Sequence, residues 1–174
     1  MEMTFVVSIM GVITAISVLQ LAASQPWLKG DGAMRVLLGQ MRTARELAIT
    51  ERRYIRLAFI GTNTIELVRE EVPGPDTTVV GKTMLEGGVE YSIVPGLPDT
   101  PDVFGKGAPV SFGLVNNIKF TPDGTLVNQD GESVNGTVFL AMPGQVRSAR
   151  ALTVLGSTGR IRGYRWDGSA WRLV

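Results

Sequence analysis

The apolar positions at the start of this chain form one long run. From Met3 to Leu28 no residue is charged, and Phe5–Leu21 is dense in Val, Ile and Leu. Coiled as a helix, this stretch would extend about 39 Å, more than the roughly 30 Å of bilayer hydrocarbon. Its polar members are Thr4, Ser8, Thr14, Ser17 and Gln20. The small hydroxyls return a hydrogen bond to their own helix backbone, and Gly11 is tolerated in such a helix. The pattern predicts a membrane-spanning helix over residues 1–28, ended by Pro26 and the cluster Gly30-Asp31-Gly32. Two other readings compete. Ala22-Ala23-Ser24 suits a signal-peptidase site, yet Glu2 sits where a basic n-region belongs. A buried core helix would need a larger domain around so long an uncharged run.

Beyond this point the period changes. Met34, Leu37, Leu38, Met41, Ala44 and Ala48 recur at steps of three and four, while Arg35, Arg42, Arg45, Glu46 and Arg52 take the other faces. This predicts an amphipathic helix over about 33–53, with Asp31 as its N-cap, packed on a sheet.

Strand patterns follow. Tyr54–Ile60 and Thr64–Arg69 flank Gly61-Thr62-Asn63 as a hairpin. Val89–Val94 alternates apolar and polar positions, and Ile118–Thr121 ends at the turn Pro122-Asp123-Gly124. Thr137–Met142, Ala151–Leu155 and Arg160–Trp166 read as strands, and Asp167-Gly168 turns the last of these into Ala170–Val174. Glu71–Pro109 holds six of the nine prolines, which predicts a long irregular insertion interrupted by one strand. A helix followed by many antiparallel strands is an α+β plan: a long N-terminal membrane-spanning helix continuing into an amphipathic helix on an antiparallel sheet, with residues 29–174 as the globular domain.

Composition narrows the function classes. The net charge is +1, so the whole chain is no electrostatic binder. The charge is unevenly spread. Gly61–Glu132 is acidic, whereas Ser133–Val174 carries six arginines and one acid, Asp167. With no cysteine and no histidine, disulfides, thiolate metal sites and the usual catalytic triads are excluded. No nucleophile–base pair and no phosphate-binding glycine loop declares itself, so an enzyme reading is rejected and no cofactor is expected. Asp123, Asp130 and Glu132 have the chemistry for calcium but match no loop motif and read as turns, so no metal is expected. Asn135-Gly136-Thr137 matches a glycosylation acceptor, and Asn-Gly equally suits a hairpin turn.

Glu2 is costly at the mouth of an apolar helix unless it lies at the interface or meets a cation. The run Glu2-Met3-Thr4-Phe5-Val6-Val7-Ser8-Ile9-Met10-Gly11-Val12-Ile13-Thr14-Ala15-Ile16 resembles the N-terminal helix of type IV pilins and pseudopilins. The stretch Met41–Arg53, together with Phe120-Thr121-Pro122-Asp123-Gly124 and Ser157-Thr158-Gly159-Arg160-Ile161-Arg162, is similar to the H-type minor pseudopilins of type II secretion and to related minor pilins. The resemblance implies a structural subunit of a secretion pseudopilus or a type IV pilus, at the filament tip. It places Glu2 where the family has the glutamate that neutralises a neighbouring subunit's terminal amine. It further implies pilin or pseudopilin partners, a single pass through the bacterial inner membrane, a periplasmic domain, and a prepilin peptidase acting on a longer precursor, since the leader and its glycine do not precede Glu2 here. The arginine-rich flank after the span points the other way, toward the cytoplasm.

Arg160, Arg162 and Arg165 are the candidate nucleic-acid-binding residues. On a strand Arg160, Arg162 and Tyr164 face one way and Ile161 and Arg165 the other. Arginines grip phosphates and Tyr164 or Trp166 can stack on a base, and Gly159-Arg160-Ile161-Arg162 is similar to a DNA-binding motif of minor pilins used for DNA uptake. The plainer expectation is a solvated face, or pairing with the acidic middle of the chain. A membrane-tethered binding domain unrelated to filaments is the remaining alternative.

Overall fold

The computed structural model describes the backbone of residues 2–113 and 117–174. The side chains of residues 1–5, 8, 16 and 18–24 lie outside the described set, and that of Glu2 is among them. The first element is one helix, α1 (Glu2–Glu51), which passes through Pro26 and Gly30-Asp31-Gly32 without interruption. The expected break is therefore absent, and Asp31 is no N-cap. Two contacts explain why these residues sit inside a helix. A Cβ on Gly30 would lie 2.5 Å from the carbonyl oxygen of Ser148, so the glycine is where a strand backbone touches the helix. Asp31 points into the domain and pairs with Arg150. Helix-breaking residues are overridden where tertiary contacts satisfy them.

The buried face of α1 is Ala33, Met34, Leu37, Met41, Ala44 and Ala48, with Leu38 half-buried, as the period implied. Upstream, Val6, Val7, Ile9, Met10, Val12 and Ile13 are exposed. Thr14 and Ser17 donate back to the carbonyls of Met10 and Ile13 at 2.8 and 2.9 Å. Among the described residues no helical stretch is long and apolar enough to cross a membrane; the segment read as the span is described only in part.

Strands β1 (Ile55–Ile60) and β2 (Thr64–Glu70) form the expected hairpin. The insertion holds two strands rather than one: β3 (Thr77–Met84) pairs with β2, and the predicted Val89–Val94 shortens to β4 (Glu90–Tyr91). β3 escaped notice because it is an edge strand exposed along most of its length, with no apolar alternation to betray it. Two short strands also went unread, β5 (Val110–Ser111) and β7 (Leu126–Val127), which flank β6 (Ile118–Phe120) in sequence. Next come β8 (Gly136–Met142), β9 (Gln145–Leu155), β10 (Arg160–Trp166) and β11 (Trp171–Leu173).

These strands make two antiparallel sheets, β3-β2-β1-β6-β7 and β11-β10-β9-β8-β4, with β5 on the side of β8. The inner faces of both sheets join the helix in one core that includes Leu57, Leu67, Phe120, Leu140, Leu152 and Val154. The outer face of the second sheet is apolar too. Phe139, Ala151, Tyr164, Trp166 and Trp171 form a second cluster, covered by Ile93, Val94 and Leu97 from the proline-rich insertion. This is why β8 reads as a continuous apolar run: both faces are covered. β9 starts six residues before the expected Ala151, because its first half, with Arg147, Ser148 and Arg150, carries no apolar pattern. Asn135-Gly136 makes no hairpin turn. Asn135 accepts from the Gly156 backbone N–H at 2.8 Å, and Gly136 opens β8.

Candidate functional site

Three segments that lie far apart in the sequence meet beside the C-terminal part of α1. Arg45 donates from Nε to the Gly124 carbonyl at 3.0 Å and from Nη2 to the Thr158 carbonyl at 3.2 Å. Its guanidinium thus ties the β6–β7 turn of one sheet to the β9–β10 turn of the other. Gly159 makes the closeness workable. Its φ of +60° suits glycine, and a Cβ there would lie 2.0 Å from the Gly124 oxygen. The Pro122-Asp123-Gly124 turn is itself rigid: Asp123 accepts from the Thr121 and Thr125 hydroxyls, which hold its carboxyl below the usual range. That carboxylate is engaged as a turn cap, and among the described residues no cluster of three or more acids, His or Cys is placed to hold a metal.

The three candidate arginines divide between the faces of β10. Arg160 is exposed and, with Arg42, Arg45 and Glu46, rims an open depression of about 330 Å3. Arg162 is on the same face but is committed. Its Nη1 bonds Asp102 at 2.8 Å, and Asp102 also accepts from Tyr164 at 2.9 Å and Thr153 at 2.5 Å. Burial pushes the Asp102 carboxyl up, but these hydrogen bonds and the Arg162 charge outweigh it and hold the carboxyl below its ordinary range. Asp102 belongs to the acidic middle of the chain, so Arg162 is paired with that segment. Arg165 lies on the helix side, with its guanidinium 5.0 Å from the Trp27 ring centroid.

Arg150 was missed in the sequence and organises this end of the domain. It is fully buried. Nε bonds Asp31 at 2.7 Å, Nη2 the Trp27 carbonyl at 2.9 Å, and Nη1 the carbonyls of Ala149 and Arg147 at 2.8 and 3.0 Å. Burial lowers its pKa, and the Asp31 carboxylate opposes that. A strand position that puts arginine in an otherwise uncharged run, Ala149 to Leu155, was the available signal.

A 50-residue helix whose C-terminal half fills a groove in an antiparallel domain, while its N-terminal part projects with bare apolar side chains, is a distinctive outline. Crystal structures of the type IV minor pilin FimU of Pseudomonas aeruginosa PAO1 are similar in fold over most of the chain. In one crystal form the TM-score is 0.53 at 17% identity, covering 82% of this chain and 91% of that one; in a second form the TM-score is 0.52, also at 17% identity, covering 82% and 96%. The chain has the minor-pilin fold. No protein-family model matches it, and no curated protein matches it significantly. Within the pilin fold, the segments around Arg45, Gly124 and Gly159 are the joint between the two sheets and the helix.

Proposed function

We propose that this chain is a minor structural subunit of a type IV pilus, or of the related type II secretion pseudopilus, and that it assembles through its N-terminal helix. The observation that carries the reading is the projecting half of α1. Val6, Val7, Ile9, Met10, Val12 and Ile13 are exposed over consecutive turns on a helix anchored in a minor-pilin fold. So much bare apolar surface needs either lipid or other helices around it. In this reading residues 1–28 first span the inner membrane, with the domain of residues 29–174 in the periplasm. On extraction the same face packs against neighbouring helices, exchanging lipid contacts for helix contacts. Glu2 pairs with a neighbour's terminal amine, and a prepilin peptidase acts on a longer precursor. The role is structural rather than catalytic, with the subunit capping the filament at its tip, a placement supported by the sequence resemblance of Met41–Arg53 to H-type minor pseudopilins.

The test is incorporation. Glu2→Ala and Ile13→Asp are introduced into the full chain, and filaments sheared from cells are probed for it beside the membrane fraction. Both substitutions deplete the subunit from filaments, with Glu2→Ala still present in the membrane. Incorporation of both variants at the native level would overturn the assignment and favour a tethered binding domain.

A further inference from the structure

The end of the domain from which α1 emerges has a composition of its own. Trp27 and Leu28 on the helix, Val146 and Arg147 at the start of β9, and Arg165 near the end of β10 all face outward or are half-buried there. Trp27, Val146, Arg147 and Arg165 line an open depression of about 430 Å3. The cause of the exposed charge is register. Arg165 stands directly opposite Arg150 across β9 and β10, both on the helix side. Like charges facing each other repel. Arg150 takes Asp31, its one carboxylate partner among the described residues, leaving Arg165 against the Trp27 ring face.

The acids at this end are already used. Asp31 serves Arg150. Asp167 accepts from the Ser169 and Ala170 backbone N–H groups and from Arg172 at 2.7 Å, which hold its carboxyl well below the usual range. Among the described residues neither Arg147 nor Arg165 has a carboxylate within salt-bridge distance. The result is a tryptophan, exposed apolar side chains and two uncompensated guanidiniums arranged where a long apolar helix enters a folded domain.

We propose that this end of the domain is a docking collar for an anionic phospholipid surface, with Arg147 and Arg165 meeting lipid phosphates and Trp27 seated at headgroup level. Tryptophan favours that level because one end of its ring is apolar and the other donates a hydrogen bond. Guanidinium groups match phosphodiester oxygens in a fork geometry. Continuity with the apolar helix selects lipid over other phosphates: a chain held by residues 1–28 presents this end, and no other, to the bilayer. The proposal rests on the membrane-anchor reading and adds a second, electrostatic contact. Such a contact holds the domain upright on the bilayer before assembly and is broken on extraction.

The chain has no cysteine, so single cysteines report cleanly. Full-length protein with Val146→Cys, or with Ser157→Cys at the opposite end, carries an environment-sensitive dye. It is reconstituted in phosphatidylcholine vesicles or in an equal mixture with phosphatidylglycerol. Carbonate extraction reports the anchor separately. Each arginine near an anionic surface multiplies the docked fraction relative to the undocked about fivefold, so two give roughly 25-fold. The Val146→Cys label is expected to move into the headgroup region in the anionic vesicles only. It should return to water in an Arg147→Gln/Arg165→Gln background or at high salt, while Ser157→Cys reports water throughout. Carbonate-resistant chain with Val146→Cys reporting water on anionic vesicles overturns the collar and leaves the anchor standing. Extraction by carbonate in every arm removes both. Duplex DNA that shifts the label in neutral detergent, where anionic vesicles do not, would assign the arginines to nucleic acid and overturn the lipid proposal.

Discussion

Replacing Asp31 by alanine is expected to cost far more than a mid-helix aspartate would suggest. In an isolated helix alanine is the better former by several tenths of a kcal/mol, so propensity alone forecasts a gain. The structure reverses the sign. Arg150 is fully buried, and its only carboxylate partner among the described residues is Asp31, 2.7 Å away. Removing that partner leaves a buried guanidinium with three carbonyl acceptors and no counter-charge, a change that costs about 3–5 kcal/mol. With a urea m-value of about 2 kcal/mol/M, the unfolding midpoint falls by roughly 1.5–2.5 M. The assay is urea denaturation of the full chain in detergent, followed by tryptophan fluorescence. Arg150→Met and the Asp31→Ala/Arg150→Met pair complete a double-mutant cycle. Removing both charges together recovers much of the loss, because an apolar pair avoids the desolvation of the ions. The carbonyls of Trp27, Arg147 and Ala149 lose their donor in either Arg150 variant, so recovery is incomplete. A loss under about 1 kcal/mol for Asp31→Ala, or a cycle without coupling, would refute the claim that this pair ties β9 to the helix.

Three further outcomes follow from particular contacts. Gly30→Ala destabilises the fold by about 1–3 kcal/mol despite its helix-propensity gain, since the added Cβ meets the Ser148 backbone at 2.5 Å; thermal melts that show stabilisation would refute the close approach. Asp102→Asn costs about 1–3 kcal/mol by weakening the bonds from Arg162, Tyr164 and Thr153. Because the Asp102 carboxyl is held below its ordinary range, its stabilising effect is full above about pH 4 and is lost as pH falls through the folded-state pKa. The gap between native and variant stability, measured by denaturation from pH 6 downward, therefore closes in acid, and a gap that stays constant would exclude the charge as its source. With Arg162 held by Asp102, the Arg160→Ala/Arg162→Ala variant leaves duplex-DNA affinity within about twofold of native across a salt series; a salt-sensitive affinity that the double variant abolishes would restore β10 as a nucleic-acid interface.

Periodicity carried much of the architecture. The spacing of Met34, Leu37, Met41, Ala44 and Ala48 identified the buried helix face, because a helix can bury only one stripe against a sheet. Turn chemistry located Pro122-Asp123-Gly124 and Asp167-Gly168, where local hydrogen bonds and positive φ decide the conformation without help from the rest of the chain. Other features were settled only in three dimensions. Gly30-Asp31-Gly32 reads as a helix break because propensity is a local quantity, yet the helix continues where Ser148 and Arg150 from β9, more than a hundred residues later, supply the contacts. The proline-rich insertion looked merely irregular, but its Ile93, Val94 and Leu97 cover the outer face of β8–β11, and its Asp102 holds Arg162. The fates of the arginines depended on register across β9 and β10, which places Arg165 opposite Arg150 and Arg162 opposite Thr153. Residue type sets what a side chain is able to bind. Only the pairing of distant strands determines which partner reaches it first, and so which charges are neutralised inside the domain and which remain on its surface.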